Sequence, residues 1–142
     1  KVMKAQPDVR YLFKEWPIFG GRWEASLQAA QQGLTVWQKK GPQAYVTYHN
    51  AIYATGHNEG KLTAEDIHGA ASKAGLTTPA PGDHTASLEK NSNLAEALGL
   101  TGTPGIIVMP VSGETPDTIT VFPEAVTAER LQAAIRKATK VK

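Results

Sequence analysis

Asn93-Leu94-Ala95-Glu96-Ala97-Leu98-Gly99-Leu100-Thr101-Gly102-Thr103-Pro104-Gly105-Ile106-Ile107-Val108-Met109 is the stretch in which the hydrophobic period changes from helical to strand-like. Leu88, Ala95 and Leu98 lie on one helical face that closes at Gly99, a residue suited to the position just past a helix end. From Gly105 to Met109 the apolar residues are continuous and stop at Pro110, which predicts a short strand buried on both faces. A helix therefore passes to a strand through Gly102-Thr103-Pro104-Gly105.

Toward the C-terminus, Ser112 to Asp117 is turn chemistry and Thr118 to Phe122 alternates, so a second strand is expected to form a hairpin with the first. Thr127 then caps a last helix with Leu131, Ala134, Ile135 and Ala138 inward and basic residues in its final turn, where they suit the helix dipole. Toward the N-terminus, Thr77 to Asp83 reads as a Pro and Gly loop. Thr63 with Asp66 forms a capping box opening a helix that carries Ile67, Ala70, Ala71 and Ala74 and ends at Gly75. A helix with Tyr45, Tyr48 and Ile52 starts at Pro42 and leaves through Gly56 and Gly60. Before it, Trp23, Leu27, Ala30, Leu34 and Trp37 step by four and three residues, drawing an inward stripe along a helix over Arg22 to Lys40. Val9 to Trp16 alternates until Pro17 and predicts a strand, and Val2 and Met3 look like the last turn of a helix whose start is missing.

The 142 residues suit a single domain with a true core. Fifteen Lys and Arg against thirteen Asp and Glu leave +2, too small a balance to make nucleic acid or a charged membrane surface the expected partner. With no cysteine, the chain has no disulfide, no thiolate metal site and no thiol nucleophile of its own. No apolar run approaches a membrane span, and Lys1-Val2-Met3-Lys4 is neither a signal peptide nor an initiator, so the chain is expected to be a processed protein or a fragment.

Few residues carry chemistry. Thr103-Pro104 has two readings: a tight turn before a strand, or a cis bond, which costs only about 0.5–1 kcal/mol over trans and presents the preceding backbone as a strand-like edge. Glu15, near the end of the early strand, is either a proton-transfer group or a paired structural charge. His49, His57, His68 and His84 lack metal-ligand spacing and are read as surface residues, so no metal and no cofactor are expected. Trp16, Trp23 and Trp37 suit core packing better than a polypeptide groove. No phosphate-binding glycine loop and no nucleophile elbow are present.

An early strand, a helical excursion of about 80 residues, then strand, strand and helix is an unusual order. Val9-Arg10-Tyr11-Leu12-Phe13-Lys14-Glu15-Trp16-Pro17-Ile18-Phe19-Gly20 and the segment from Asn93 to Gly105 resemble the second strand and the helix-to-strand passage of DsbA-like thiol–disulfide oxidoreductases. The similarity is greatest to the branch containing the copper-sensitivity suppressor ScsC. This resemblance implies an α/β thioredoxin-like fold over residues 1–142 with a helical insertion at about 21–99. It also implies a periplasmic location, cysteine-containing polypeptide substrates, and a cis-Pro clamp at Thr103 and Pro104. Members of that family carry a further first strand and a Cys-X-X-Cys motif, both of which would precede Lys1. The chain is therefore expected to be N-terminally incomplete, to hold no catalytic residue of its own and to be redox-inactive alone. The missing strand would leave two central sheet edges open, and each buried unpaired backbone group costs about 1–3 kcal/mol, so preceding polypeptide, a second copy or another chain is expected to fill the slot. A non-catalytic peptide-binding or chaperone-like module is the alternative.

Overall fold

Gly41 and Pro42 set the first corner of the helical part. Gly41 takes φ +87°, closed to most side chains, and its N–H caps the preceding helix on Trp37 O at 2.9 Å, while Pro42 begins the next helix with its φ already suited. The computed structural model describes residues 2–57, 60–77 and 82–139. Its elements run α1 (Val2–Ala5), α2 (Glu24–Lys40), α3 (Pro42–Ala54), α4 (Ala64–Lys73), α5 (Thr85–Ala97), β1 (Ile106–Val108), β2 (Thr120–Phe122) and α6 (Ala128–Thr139). Two compact units result. Unit 1 comprises Lys1–Lys14 with Ser92–Lys142, and unit 2 comprises Glu15–Asn91, so α5 begins in one unit and ends in the other.

In unit 2, α3 packs on both α2 and α4 around Val36, Tyr48, Ala70, Ala71 and Leu76. The α4 start is the expected capping box: Thr63 Oγ1 accepts from the Asp66 N–H at 3.1 Å and Asp66 Oδ2 accepts from the Thr63 N–H at 2.9 Å. Its end is a Schellman motif, with Leu76 N–H on Ala71 O and Gly75 N–H on Ser72 O, both at 2.9 Å. That motif turns Leu76 back into the core.

The inward face of α2 differs from the expected stripe. Trp37 is 55% exposed and Leu27 37%, whereas Ala30, Gln32, Gly33, Thr35 and Val36 are buried. Bulk decides this, because small residues at Ala29, Ala30 and Gly33 let the tyrosines of α3 come close, which a tryptophan face would not. Tyr48 reaches α2 and donates its hydroxyl hydrogen to Ala29 O at 2.7 Å. The buried polar residue Thr35 also has work on this face. Its hydroxyl donates to Gln31 O at 3.0 Å and accepts from the Gly82 N–H at 2.9 Å, with His84 Nε2 at 2.9 Å. One proton and two lone pairs are then fully used if His84 Nε2 is the protonated nitrogen. Of the Pro and Gly loop expected over 77–83, residues 78–81 lie outside the described residues.

In unit 1, β1 and β2 pair antiparallel as a hairpin, with Ile106 opposite Phe122, Ile107 opposite Val121 and Val108 opposite Thr120. The amphipathic helix α6 packs on β1, with Ala134, Ile135 and Ala138 buried, and α1 packs on α6. The guanidinium of Arg130 lies over the Phe122 ring at 5.6 Å. A second Schellman motif ends α5, from Leu100 N–H to Ala95 O at 3.0 Å and Gly99 N–H to Glu96 O at 3.1 Å.

Two strand expectations need correction here. Residues 106–108 are half-buried and not fully enclosed: among the described residues the sheet has two strands, so one edge of β1 has no strand beside it. Val9 to Trp16 forms no strand: alternation alone does not make one without a ladder partner, and this segment is outside the sheet. Tyr11 instead directs its hydroxyl at the carbonyls of Gln6 and Val2, at 3.3 and 3.4 Å, over the end of α1.

Candidate functional site

Glu15 opens unit 2 and is bonded to residues far from it in sequence. Its carboxylate oxygen Oε1 accepts a hydrogen bond from the Tyr45 hydroxyl of α3. The same oxygen would lie 3.2 Å from a Cβ on Gly33 of α2, so the absence of a side chain at 33 makes room for it. Its backbone carbonyl accepts from Asn91 Nδ2 of α5 at 2.9 Å. Three helices thus converge on one acidic residue.

The electrostatics follow from that enclosure. Withdrawal from water pushes the Glu15 carboxyl above the usual carboxylate range, and the Tyr45 hydrogen bond, which favours the ionised form, offsets part of the rise. Burial, followed by the nearby Glu15 charge, pushes the phenols of Tyr45 and Tyr48 far above their ordinary value. Along α3, the His49 ring lies 6.1 Å from that of Tyr45 and 4.7 Å from that of Tyr53, and burial lowers its affinity for a proton. The site is a protonatable carboxyl lined by neutral aromatic groups.

Thr103 and Pro104 belong to unit 1. The peptide bond between them is cis, and both residues are exposed immediately before Gly105 and β1. Leu100 closes over this passage: a Cβ on Gly105 would meet Leu100 Cδ1 at 2.6 Å, so residue 105 must be glycine or Leu100 must move. Thr103 therefore stands at the surface between the α5 end and β1.

The remaining candidates divide. His57 and His68 are exposed, as expected, with His57 Nδ1 on Asp66 Oδ2 at 2.8 Å. His49 and His84 are instead half-buried, because each gains a contact, His49 with two tyrosines and His84 with Thr35. Of the tryptophans, Trp16 and Trp23 are half-buried and Trp37 is exposed; the Trp23 ring meets that of Phe19 at 5.0 Å with the planes tilted by 54°, and it lies where a Cβ on Gly60 would collide with it. Among the described residues no group of three or more His, Asp or Glu could hold a metal ion. Gly33, Tyr45 and Asn91 are the site residues that the sequence pattern does not mark. The run of small residues Ala29, Ala30 and Gly33 is the signal that would have located the face receiving them.

No family model and no curated protein matches the chain. Solved structures do. BcfH of Salmonella enterica Typhimurium is 37% identical with a TM-score of 0.77, over 96% of this chain and 60% of that one. ScsC of Proteus mirabilis, in a transitional conformation, is 24% identical with a TM-score of 0.73, over 99% of this chain and 57% of that one. The chain thus spans less than two thirds of the length of either. Its fold is thioredoxin-like, with a small sheet and a helical insertion of the DsbA type. More particularly, the chain is similar to BcfH in both sequence and fold.

Proposed function

We propose that the chain is the C-terminal portion of a periplasmic thiol–disulfide oxidoreductase or isomerase, in which Thr103 and Pro104 clamp a cysteine-containing polypeptide and the redox dithiol lies outside residues 1–142. The observation that carries this reading is the 37% identity to BcfH over 96% of the chain. Support for the clamp comes from the exposure of Thr103 and Pro104 directly ahead of β1, where an extended peptide can bond to backbone. The periplasmic assignment rests on resemblance, and no described helix is long and apolar enough to cross a membrane.

In such a protein a thiolate attacks one sulfur of a substrate disulfide, the other sulfur leaves as a thiolate, and a mixed disulfide joins enzyme and substrate. This chain has no cysteine, so its contribution is scaffold and clamp. A strand for the sheet would come from preceding polypeptide or from a second copy. The absence of cysteine equally favours a second reading, a non-catalytic peptide-binding or chaperone-like module.

Insulin reduction separates the two. The 142-residue chain is expected to show none, whereas the longer protein carrying the dithiol is expected to turn over and to lose substrate affinity on Thr103→Arg. Turnover by the chain alone, or an unchanged KM in the Thr103→Arg protein, overturns the proposal. A longer protein without any dithiol establishes the second reading.

A further inference from the structure

Glu15 and Asn91 are the first and last residues of unit 2, and they are bonded to each other, Asn91 Nδ2 to Glu15 O at 2.9 Å. The Glu15 carboxyl adds Tyr45 of α3 and the bare Gly33 position of α2. One residue therefore joins α2, α3 and α5, and it does so through a group that can gain or lose a charge.

The surroundings of that group favour its neutral form. From α3 it faces Tyr45 and Tyr48, with His49 and then Tyr53 further along the same ring ladder; Gly33 from α2 and Asn91 from α5 bring no charge. The neighbouring Lys14 is exposed, as are Glu89 and Lys90 on α5. Among the described residues the one ion pair joins His57 to Asp66, so the Glu15 carboxyl is met by a phenol and not by a cation. A buried carboxylate without a cation carries a desolvation cost that one neutral donor does not cover. The core cluster of Val36, Tyr48, Ala70, Ala71 and Leu76 includes neither Glu15 nor Tyr45 and shares only Tyr48 with the groups that face the carboxyl.

We infer that Glu15 is a proton-operated brace of unit 2: neutral, it holds residues 15–17 against α2 and α3, and ionised, it releases that segment to water while the helices keep their core. The sign follows from linkage. A carboxyl held above its ordinary range stabilises the closed form below the ordinary glutamate value, and that stability is lost as pH rises toward the raised one. Between those two values the open fraction grows about tenfold per pH unit, and above the raised value it levels off.

The test follows Glu15 Cδ by NMR in the full, labelled chain and, in the same samples, hydrogen exchange at the Asn91 side-chain amide, which is bonded to Glu15 O, after correction for intrinsic rates. Glu15 is expected to titrate above the other glutamates, with protection at the Asn91 side chain falling as pH rises toward that value. In Glu15→Gln, which keeps an acceptor for Tyr45, protection is expected to be independent of pH. Titration of Glu15 together with the other glutamates, titration without loss of protection, or the same loss in Glu15→Gln overturns the inference. The wild-type titration decides the matter even if the variant does not fold.

Discussion

Gly33 and Tyr48 meet across α2 and α3 at the limit that carbon atoms allow: a Cβ on Gly33 would lie 3.1 Å from Tyr48 Cε1. Glu15 Oε1 at 3.2 Å and Tyr45 Cε2 at 3.3 Å close the other sides. A Cβ there would require all three neighbours to give by a few tenths of an ångström, which opposes the helix propensity that disfavours glycine.

Gly33→Ala is therefore expected to destabilise the chain. Overpacking of this kind costs about 1–3 kcal/mol, against a gain of up to about 1 kcal/mol in helix propensity. Gly69 in α4 is the control, because nothing lies within 4 Å of its Cβ position and it is exposed. There the same change is expected to stabilise by about 0.5–1 kcal/mol. Urea midpoints measure both, and opposite signs are the prediction.

Thr35→Val is expected to cost about 1–3 kcal/mol, since a methyl group leaves the Gly82 N–H and His84 Nε2 without their shared oxygen. Hydrogen exchange at the Gly82 amide is the specific readout, and it should accelerate. Thr35→Ser keeps the hydroxyl and should restore slow exchange at Gly82 even if some stability is lost with the methyl.

Asp66 predicts an acid-side effect. The His57 hydrogen bond, then the Thr63 N–H, hold its carboxyl below the usual aspartate range. The capping contribution is accordingly complete above the ordinary aspartate value and disappears as pH falls through the lower, folded one. His57→Gln should bring the Asp66 titration, followed by Cγ chemical shift, back toward the ordinary value. An unmoved titration would show that the exposed imidazole contributes nothing to the cap.

What was legible in the sequence was mostly local. The box at Thr63 and Asp66, the glycine exits at Gly75 and Gly99, and the hairpin from Ile106 to Phe122 depend on neighbours a few residues apart, and they stand as expected. The α2 face departs from its hydrophobic stripe because hydrophobicity ignores volume, and here Tyr45 and Tyr48 need glycine and alanine opposite them, not Trp37. Val9 to Trp16 is no strand because a strand requires a partner that no pattern within the segment can certify. Glu15 stood out by its type, yet Gly33, Tyr45 and Asn91 lie 18, 30 and 76 residues away in sequence, and only the fold brings them to it.

The tie between Asn91 and Glu15 also bears on how such a chain can change over generations. A helical block whose point of departure and point of return touch one another can be lengthened, shortened or exchanged by recombination at little cost to its host, because the gap to be bridged stays the same. Residue 91 lies inside α5, so such a transplant has to keep that helix continuous.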